Sequence, residues 1–380
     1  MAESPSSRQH GSTRVAERAT TCTPVAGGRS STDDVPAIES AIASCPSGTI
    51  VIPSGKTYHL NSALSFAGCS GCTFQIDGTL LVSDDTDYWN GKEAIMLMSG
   101  IKTAKIYSST GAGIIDGNGQ ASWDLFATDS SYTRPTLLYI TGSNNIAISS
   151  LTFKNAPNVF DSATGSLTNI KYTDITLSAV STSSNAAKNT DGWDIGPASY
   201  VTISGATVTN DDDCVAFKAG ANYVTVTDIS CTGSHGTDTV SNIYVNGATM
   251  TKSAKAAGIK LYPAGSSHGM AVVSNVTWEN VVVNSSDYAF QIQSCYDETA
   301  AYCEATPSTA QLTDVVVKGF SGTTSMTYEP VIMNLDCPAD GTCGVSISDI
   351  TVTSPEGKAE VLCANTPSSL GVTCTSGASG

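Results

Sequence analysis

Four short motifs in the middle of the chain carry side chains that transfer protons or bind anions. Asp191 lies in Asn-Thr-Asp-Gly-Trp-Asp, Asp212 and Asp213 lie in Asn-Asp-Asp-Asp-Cys, His235 lies in Ser-His-Gly, and Lys260 lies in Gly-Ile-Lys. Like charges disfavour ionisation, so a cluster of three carboxylates would keep at least one of them protonated. One protonated and one ionised carboxyl group is the pair that glycoside hydrolysis requires, an acid for the leaving oxygen and a base for the water.

Repeated segments indicate how these motifs are positioned. Segments that start at Asn145, Asn169, Tyr200 and Tyr223 each alternate β-branched residues, break at a small or polar residue and alternate again, and the segment from Met270 repeats the pattern. The first four starts are separated by 24, 31 and 23 residues, which is in the range of solenoid repeats. Short strands at this period predict an all-β fold, a parallel β-helix whose coils share one core. A β-sandwich is the alternative, but the Asn-Gly and Asp-Gly pairs typical of its hairpins are scarce.

The spacing of the four motifs matches one coil per step. The steps from Asp191 to Asp212, then to His235 and then to Lys260 each have the length of one repeat, and residues one coil apart lie on strands about 4.8 Å apart. The motifs would therefore form a ladder on one face. Adjacent aspartates on a regular strand point to opposite faces, so Asp213 can join the cluster only if the chain bends. A polar turn or a calcium site is the alternative use of the same aspartates.

The two ends of the chain differ from the repeats. VPAIESAIASC has helical spacing and follows Ser31, Thr32 and Asp33, which predicts a short N-terminal helix, capped by Ser or Thr, that covers the open end of the solenoid. Residues 1–21 are interpreted as a polar tail, either a propeptide remnant or an expression-derived end, and residues 22–380 as one β-helix domain. Within that domain, 354–380 predicts an irregular, disulfide-tied cap.

Composition restricts the partners and the compartment. The net charge of -16 argues against nucleic acid and anionic lipid as partners, and no apolar run approaches the ~20 residues of a membrane span. The twelve cysteines include three local pairs, Cys295 with Cys303, Cys337 with Cys343 and Cys363 with Cys374. Disulfides are favoured over zinc ligation, so we expect a secreted protein. The sequons at Asn275 and Asn284 agree with that expectation.

In order and spacing, the four motifs resemble those of glycoside hydrolase family 28, the polygalacturonases. Ile115-Asp-Gly-Asn-Gly-Gln, Trp123-Asp and Arg134-Pro resemble further blocks of that family, so the similarity covers roughly residues 22–375. The resemblance implies a right-handed parallel β-helix that needs no cofactor or metal. It also implies inverting hydrolysis of α-1,4 galacturonosyl linkages in pectin by a monomeric enzyme.

The same resemblance suggests catalytic roles. Asp212 matches the general acid, Asp191 and Asp213 match the pair that activates the water, and His235 matches the histidine that supports protonation of the acid. For an inverting enzyme we expect the acid and base carboxyl groups to lie about 6.5 to 9.5 Å apart, because a water must fit between base and sugar. A spacing near 5 Å would instead indicate retention.

Substrate-binding residues follow from the resemblance too. Lys260 matches the cation that holds the sugar carboxylate, Tyr296 matches a tyrosine that lines the cleft, and Asn189 would position the water or a substrate hydroxyl. Polygalacturonases usually have Arg-Ile-Lys where this chain has Gly258-Ile-Lys. The missing guanidinium removes a bidentate carboxylate clamp and would free volume beside the scissile bond.

These departures favour a decorated substrate. Gly258, together with Ser234 and Trp193, makes the chain most similar to fungal members of the family that cleave xylose-substituted galacturonan. A polygalacturonase, endo or exo, that acts on bare galacturonan is the alternative, and a polysaccharide-binding β-helix without activity is a remote one. Gly265–Gly269 also matches the Gly-x-Ser-x-Gly elbow of esterases, but a strand pattern follows it where an esterase needs a helix.

Overall fold

The computed structural model of the chain describes residues 20–233, 240–265 and 270–380. It is a right-handed parallel β-helix, in which strands on successive coils pair in parallel and in register. Within the described residues, four helices interrupt the coils, α1 (Val35–Ser44), α2 (Thr86–Trp89), α3 (Gln120–Thr128) and α4 (Ala300–Ala305). In these ranges, no helix combines the length and the apolar character needed to cross a membrane.

The strands of the first half are β1 (Thr21–Cys22), β2 (Thr49–Ile52), β3 (Thr57–Leu60), β4 (Leu64–Ser65), β5 (Cys72–Ile76), β6 (Thr79–Val82), β7 (Ala94–Ser99), β8 (Ala104–Tyr107), β9 (Gly113–Asp116), β10 (Thr136–Thr141), β11 (Asn144–Lys154), β12 (Asp161–Thr164), β13 (Leu167–Ser178) and β14 (Trp193–Ile195). Those of the second half are β15 (Ala198–Thr209), β16 (Val215–Phe217), β17 (Ala221–Thr232), β18 (Val240–Thr251), β19 (Lys255–Lys260), β20 (Val272–Ser286), β21 (Tyr288–Gln293), β22 (Gln311–Lys318), β23 (Ser321–Thr324), β24 (Val331–Asp336), β25 (Thr342–Ser348), β26 (Thr351–Thr353), β27 (Glu360–Ala364) and β28 (Thr375–Ser376).

Three parallel sheets run along the solenoid. The large sheet has 17 strands and contains the long strands β11, β13, β15, β17, β18 and β20. A six-stranded sheet ends in β12, β14 and β16, and a five-stranded sheet begins with β19 and β21. Of the predicted catalytic motifs, those of Asp191, Asp212 and Lys260 lie in or beside β14, β16 and β19 of these two smaller sheets.

The repeats predicted from the sequence are confirmed by the register of the large sheet. Ile146 pairs with Ile170, Ile170 with Val201, and Val201 with Val224, which reproduces the offsets between the predicted repeats. The break in each repeat is a bend at a residue with a left-handed backbone, where Asp, Asn, Ser or Gly is tolerated best. These residues are Ser150, Asp174, Gly205, Asp228, Gly247 and Asn280.

One core extends along the solenoid, from Val35 to Leu370. Alternate β-branched and aliphatic residues of each coil point inward and stack on their register partners of the next coil, so their apolar surface is removed from water. Trp123 and Trp193 are each 1% exposed and belong to the core, so neither offers a ring face to a sugar.

The N-terminal helix has a different cap from the one predicted. α1 begins at Val35, and its N-cap is Asp34 rather than Ser31 or Thr32. The Asp34 carboxylate accepts hydrogen bonds from the backbone N–H groups of Gly27 and His59, so it joins the helix start to β3 rather than to the first turn. The buried face of α1 packs at the first coils, against β1 and β4, as expected for a cap.

The C-terminal segment is more regular than predicted. β27 pairs with β24 and β28, so the five-stranded sheet continues past 354 to β28. The six disulfides include the three predicted pairs, and the others are Cys22–Cys45, Cys69–Cys72 and Cys214–Cys231. All twelve cysteines lie in the described ranges and are paired.

Candidate active site

A bend between β15 and β16 brings two adjacent aspartates to one side of the chain. The Asn210 side-chain nitrogen lies within 3.0 Å of the carbonyl oxygens of Thr190, Asp212 and Asp213. The disulfide of Cys214 to the next coil holds the end of the same bend. The backbone is therefore kept out of regular strand geometry here, which is the condition under which both Asp212 and Asp213 can join one cluster.

Asp191, Asp212 and Asp213 form a compact carboxylate cluster. One oxygen from each lies within 4.8 Å of the others, so the wider separation expected of an inverting enzyme is wrong for their nearest oxygens. The reason is the fold itself, because residues on neighbouring coils are held at the strand spacing of about 4.8 Å. Three carboxylate oxygens at this distance could also act as ligands of a hard divalent cation.

Asp191 lies on the buried side of the cluster, just before β14. It is 6% exposed. Burial, then the charges of Asp194, Asp212 and Asp213, raises the pKa of its carboxyl well above the usual range, and Lys218 opposes this. Asp194 shares a hydrogen bond with Asp191. The half-exposed Lys218 ammonium lies 3.8 Å from Asp191 Oδ2 and 3.4 Å from Asp194 Oδ1 and favours their ionised forms. Burial outweighs this effect, so the pKa of both carboxyl groups is raised and the pair retains a proton more readily than an isolated aspartate.

Asp213 is paired with the predicted carboxylate-binding lysine. Lys260 Nζ lies 3.3 Å from Asp213 Oδ2 and 5.1 Å from the centre of the Tyr296 ring. Burial raises the pKa of Asp213, with a further contribution from Asp212, and Lys260 lowers it in part. Burial lowers the pKa of Lys260, but Asp213, Tyr296 and Asp212 raise it more, so the ammonium stays charged.

Asp212 is the member of the cluster that lines the cleft, and its two carboxylate oxygens accept hydrogen bonds from a side chain outside the cluster and from the neighbouring backbone. Asn189 Nδ2 donates to its Oδ2 at 3.1 Å, and the backbone N–H of Asp213 donates to its Oδ1 at 2.9 Å. Asn189 Oδ1 in turn accepts from the buried guanidinium of Arg134 at 2.7 Å, and that group stacks on Phe126. Both polar atoms of Asn189 are thus used by Arg134 and Asp212, whereas the sequence suggests contacts with water or substrate.

A cleft of about 490 Å³ lies beside the cluster. Its walls are formed by Asp212, Ala254, Lys255, Lys260, Asp287, Tyr288, Gln291, Gln293, Tyr296, Tyr328, Asn334 and Ser379. The volume expected at Gly258 is not free, because a Cβ there would lie 2.5 Å from Lys255 Cδ. The interpretation that Gly258 widens the cleft is therefore wrong at this point, since the side chain of Lys255 occupies the space.

Several predicted and unpredicted residues complete the description. His235 lies outside the described residues, so its predicted role stays a prediction. Asp194, Lys218 and Lys255 lie at the site and are not predicted from the sequence. Asp194 is the last residue of the Asn-Thr-Asp-Gly-Trp-Asp motif and could have been found there, but Lys218 and Lys255 have no motif and reach the site only through the packing of the coils.

Comparison with known proteins gives consistent sequence matches. The family model described as Glycosyl hydrolases family 28 matches residues 44–375. Endo-xylogalacturonan hydrolase A of Aspergillus tubingensis is 60% identical over 370 residues, which cover 94% of this chain and 91% of that protein. A probable endo-xylogalacturonan hydrolase A of Emericella nidulans is 54% identical over 360 residues, which cover 92% of this chain and 90% of that protein.

Solved structures of the same fold are similar to this chain. The crystal structure of endo-xylogalacturonan hydrolase from Aspergillus tubingensis superimposes with a TM-score of 0.94 at 59% identity, covering 95% of this chain and all of that one (100%). A polygalacturonase from Erwinia carotovora ssp. carotovora gives a TM-score of 0.74 at 18% identity, covering 97% of this chain and 99% of that one. At that identity the second match shows a common fold alone.

Proposed function

The chain belongs to family 28 of the glycosyl hydrolases, and from this premise we propose that it hydrolyses α-1,4 galacturonosyl linkages in xylose-substituted galacturonan. The observation that carries the catalytic part is the cluster of Asp191, Asp212 and Asp213 within 4.8 Å, with Lys260 3.3 Å from Asp213. Three carboxyl groups and an ammonium group beside one cleft support the proposal of an acid, a base and a carboxylate-binding cation. The substrate part is supported by the names of the Aspergillus and Emericella relatives.

Asp212 serves as the general acid in this proposal. It lines the cleft, whereas Asp191 and Asp213 are 6% and 4% exposed. The proton belongs to the cluster as a whole, because ionising all three carboxyl groups at this distance is unfavourable. Asp212 transfers it to the glycosidic oxygen as the bond from that oxygen to the anomeric carbon breaks. His235 is proposed to support this protonation.

Asp191 and Asp213 hold and deprotonate the attacking water. The water oxygen forms the new bond to the anomeric carbon, and its proton passes to one of these two carboxylates, so one water is consumed for each bond cleaved. Lys260 binds the carboxylate of the sugar beside the scissile bond, and Tyr296 packs against the sugar from the same wall. These contacts supply orientation, which lowers the barrier by removing the freedom of the reactants in advance.

The short carboxylate spacing bears on the stereochemical course. By the usual rule, a spacing near 5 Å indicates retention through a covalent intermediate. Here, however, both candidate nucleophiles are buried, and Asp213 is already ion-paired with Lys260. A nucleophile must approach the anomeric carbon to about 3–3.5 Å, which a water held by Asp191 and Asp213 achieves more easily than these carboxylates. We therefore propose inversion. The acid and the base then lie on one side of the line that joins the water oxygen, the anomeric carbon and the leaving oxygen.

Proton NMR of the first product tests the course of the reaction. Inversion of an α-linkage releases a β-anomeric reducing end that mutarotates later. An α-anomer as the first product would overturn the single-displacement mechanism and assign Asp191 or Asp213 as a nucleophile.

Release of reducing ends tests the substrate. The purified protein at mildly acidic pH should act faster on xylose-decorated galacturonan than on bare polygalacturonate, and Asp212→Asn should lose nearly all turnover while it keeps an acceptor for Asn189. Activity on neither polymer, or an Asp212→Asn variant as active as wild type, would refute the catalytic assignment and favour a binding module.

A polygalacturonase that acts on bare galacturonan is the second candidate, and one observation favours it. Lys255 occupies the space beside Gly258, so the structure offers no extra room for a xylose branch at that point. Faster hydrolysis of the bare polymer would select this candidate, and the size distribution of its products would distinguish endo from exo action.

We further propose that the protein is secreted, monomeric and organised as one catalytic domain over residues 22–380. Six disulfides support an oxidising compartment. Asn275 and Asn284 are exposed, as glycan attachment requires. Light scattering should give the mass of one chain plus any glycan, and a dimer mass would contradict the monomer.

A further inference from the structure

Lys255, the first residue of β19, is a buried lysine on the cleft wall that the mechanism above does not use. It is 5% exposed. Its side chain runs along the strand, so that its Cδ passes over Gly258 and its ammonium donates to the side-chain oxygen of Gln293. Gln293 is the register partner of Lys260 on β21. The Lys255 ammonium therefore reaches the wall beside Lys260.

This ammonium is held by a neutral group. Within residues 20–233, 240–265 and 270–380, no carboxylate forms an ion pair with Lys255, whereas Lys260 is paired with Asp213. Burial, then the charge of Lys260, lowers the pKa of Lys255 to about 7, and Asp213 opposes this. A buried cation costs free energy unless an anion offsets its lost hydration. An anion that enters the cleft would provide that offset.

We propose that Lys255 is a second carboxylate-binding residue, which binds a uronate carboxylate of the substrate from the wall shared with Lys260. The inference rests on the proposed function, because it takes the substrate to be a polyuronate. The Lys260 ammonium interacts with both Asp213 and the substrate carboxylate, so Asp213 partly neutralises it. Lys255 adds a positive charge that is not ion-paired with Asp213.

Gly258 makes this reach sterically feasible. A Cβ at this position would lie 2.5 Å from Lys255 Cδ and 2.8 Å from the carbonyl oxygen of Gln291, so a side chain here would displace the lysine. The two residues therefore depend on each other, because the Lys255 side chain occupies the space that a side chain at position 258 would need.

Binding of trigalacturonate, measured by calorimetry, tests the inference. Asp212→Asn serves as the background, so that turnover does not interfere, and Lys255→Met is added because methionine keeps the stem over Gly258 without the charge. We expect the Kd for trigalacturonate to rise about tenfold. The Kd for the fully methyl-esterified trisaccharide should change little, because the ester has no charge for the ammonium to bind.

Controls separate charge from folding. Lys171 is an exposed lysine of β13 in the large sheet, and Lys171→Met should leave both Kd values unchanged. The melting temperature of Lys255→Met should not fall, since a buried charge is removed, and Lys255→Gln provides a second neutral variant if the methionine variant fails to fold.

The outcomes distinguish this inference from the proposed function. Unchanged affinity in Lys255→Met and Lys255→Gln, or an equal loss for the acid and the ester, would overturn the role of Lys255 even if wild type hydrolyses galacturonan. If wild type hydrolyses no galacturonan but trigalacturonate binding still depends on the Lys255 charge, the proposed function fails and the carboxylate site stands.

Discussion

Replacement of Asn189 by glycine tests whether Asp212 is positioned from outside the carboxylate cluster. Asn189 Nδ2 donates to Asp212 Oδ2 at 3.1 Å, while its Oδ1 accepts from Arg134. The backbone at Asn189 is left-handed, with φ of 59°, a conformation that glycine adopts without steric cost. Asn189→Gly thus removes the amide and retains the chain path.

The expected fall in rate follows from the hydrogen bond that Asn189 donates to Asp212. Hydrogen bonds to charged groups contribute about 1.5–3 kcal/mol, and the exposed position of Asn189 places this bond at the lower end. A loss of ~1.4 kcal/mol corresponds to about a tenfold fall in rate. We expect kcat to fall about tenfold and KM to change little, since Asn189 acts through Asp212 and is not itself among the residues that line the cleft. Because a donor to a carboxylate favours its ionised form, the alkaline limb of kcat/KM should also move to higher pH.

Reducing-end kinetics over a pH series, with melting temperatures, provide the assay. Asn145→Gly is a matched control, because Asn145 has a φ of 55° and lies far from the cluster at the start of β11. The free energy of unfolding of Asn189→Ala should be about 1 kcal/mol lower than that of Asn189→Gly, because alanine is strained in a left-handed backbone. A wild-type kcat and an unchanged pH profile in Asn189→Gly would show that the hydrogen bond from Asn189 does not position Asp212.

Three further predictions concern protons and metals. Because the pKa values of Asp191 and Asp213 are raised, the cluster loses its catalytic proton as pH rises, so kcat/KM should peak in acid, and a maximum above about pH 7 would contradict the assigned roles. Asp161 is buried beside the Tyr172 hydroxyl and its pKa is raised by burial first, so its contribution to stability is present below about pH 4 and is lost as pH rises through its folded pKa. Asp161→Asn should therefore raise the melting temperature relative to wild type more at pH 7 than at pH 4, with exposed Asp84→Asn showing no such difference. EDTA should leave kcat/KM unchanged, because lysines already supply positive charge to the cluster, and loss of activity restored by calcium would assign the carboxylates to a metal instead.

Local features of the sequence are enough to predict the fold and the three carboxylates of the cluster. β-branched residues that alternate over a coil, a left-handed break and a recurring coil length are local features. They define which residues stack, since a parallel ladder has one register that buries every apolar face. The one-coil step from Asp191 to Asp212 follows from the same register.

The distances within the site and the partners from other coils depend on how the coils pack, so no local pattern predicts them. The strand spacing holds the carboxylates closer than a generic inverting site would suggest. Lys255 occupies the space beside Gly258, and Lys218 approaches Asp194, through contacts that no motif records. Long lysine side chains have many accessible rotamers, and the packing and charge of other coils determine which rotamer is populated. The sequence therefore specifies which backbone positions meet, and the packed coils specify which side chains share the site.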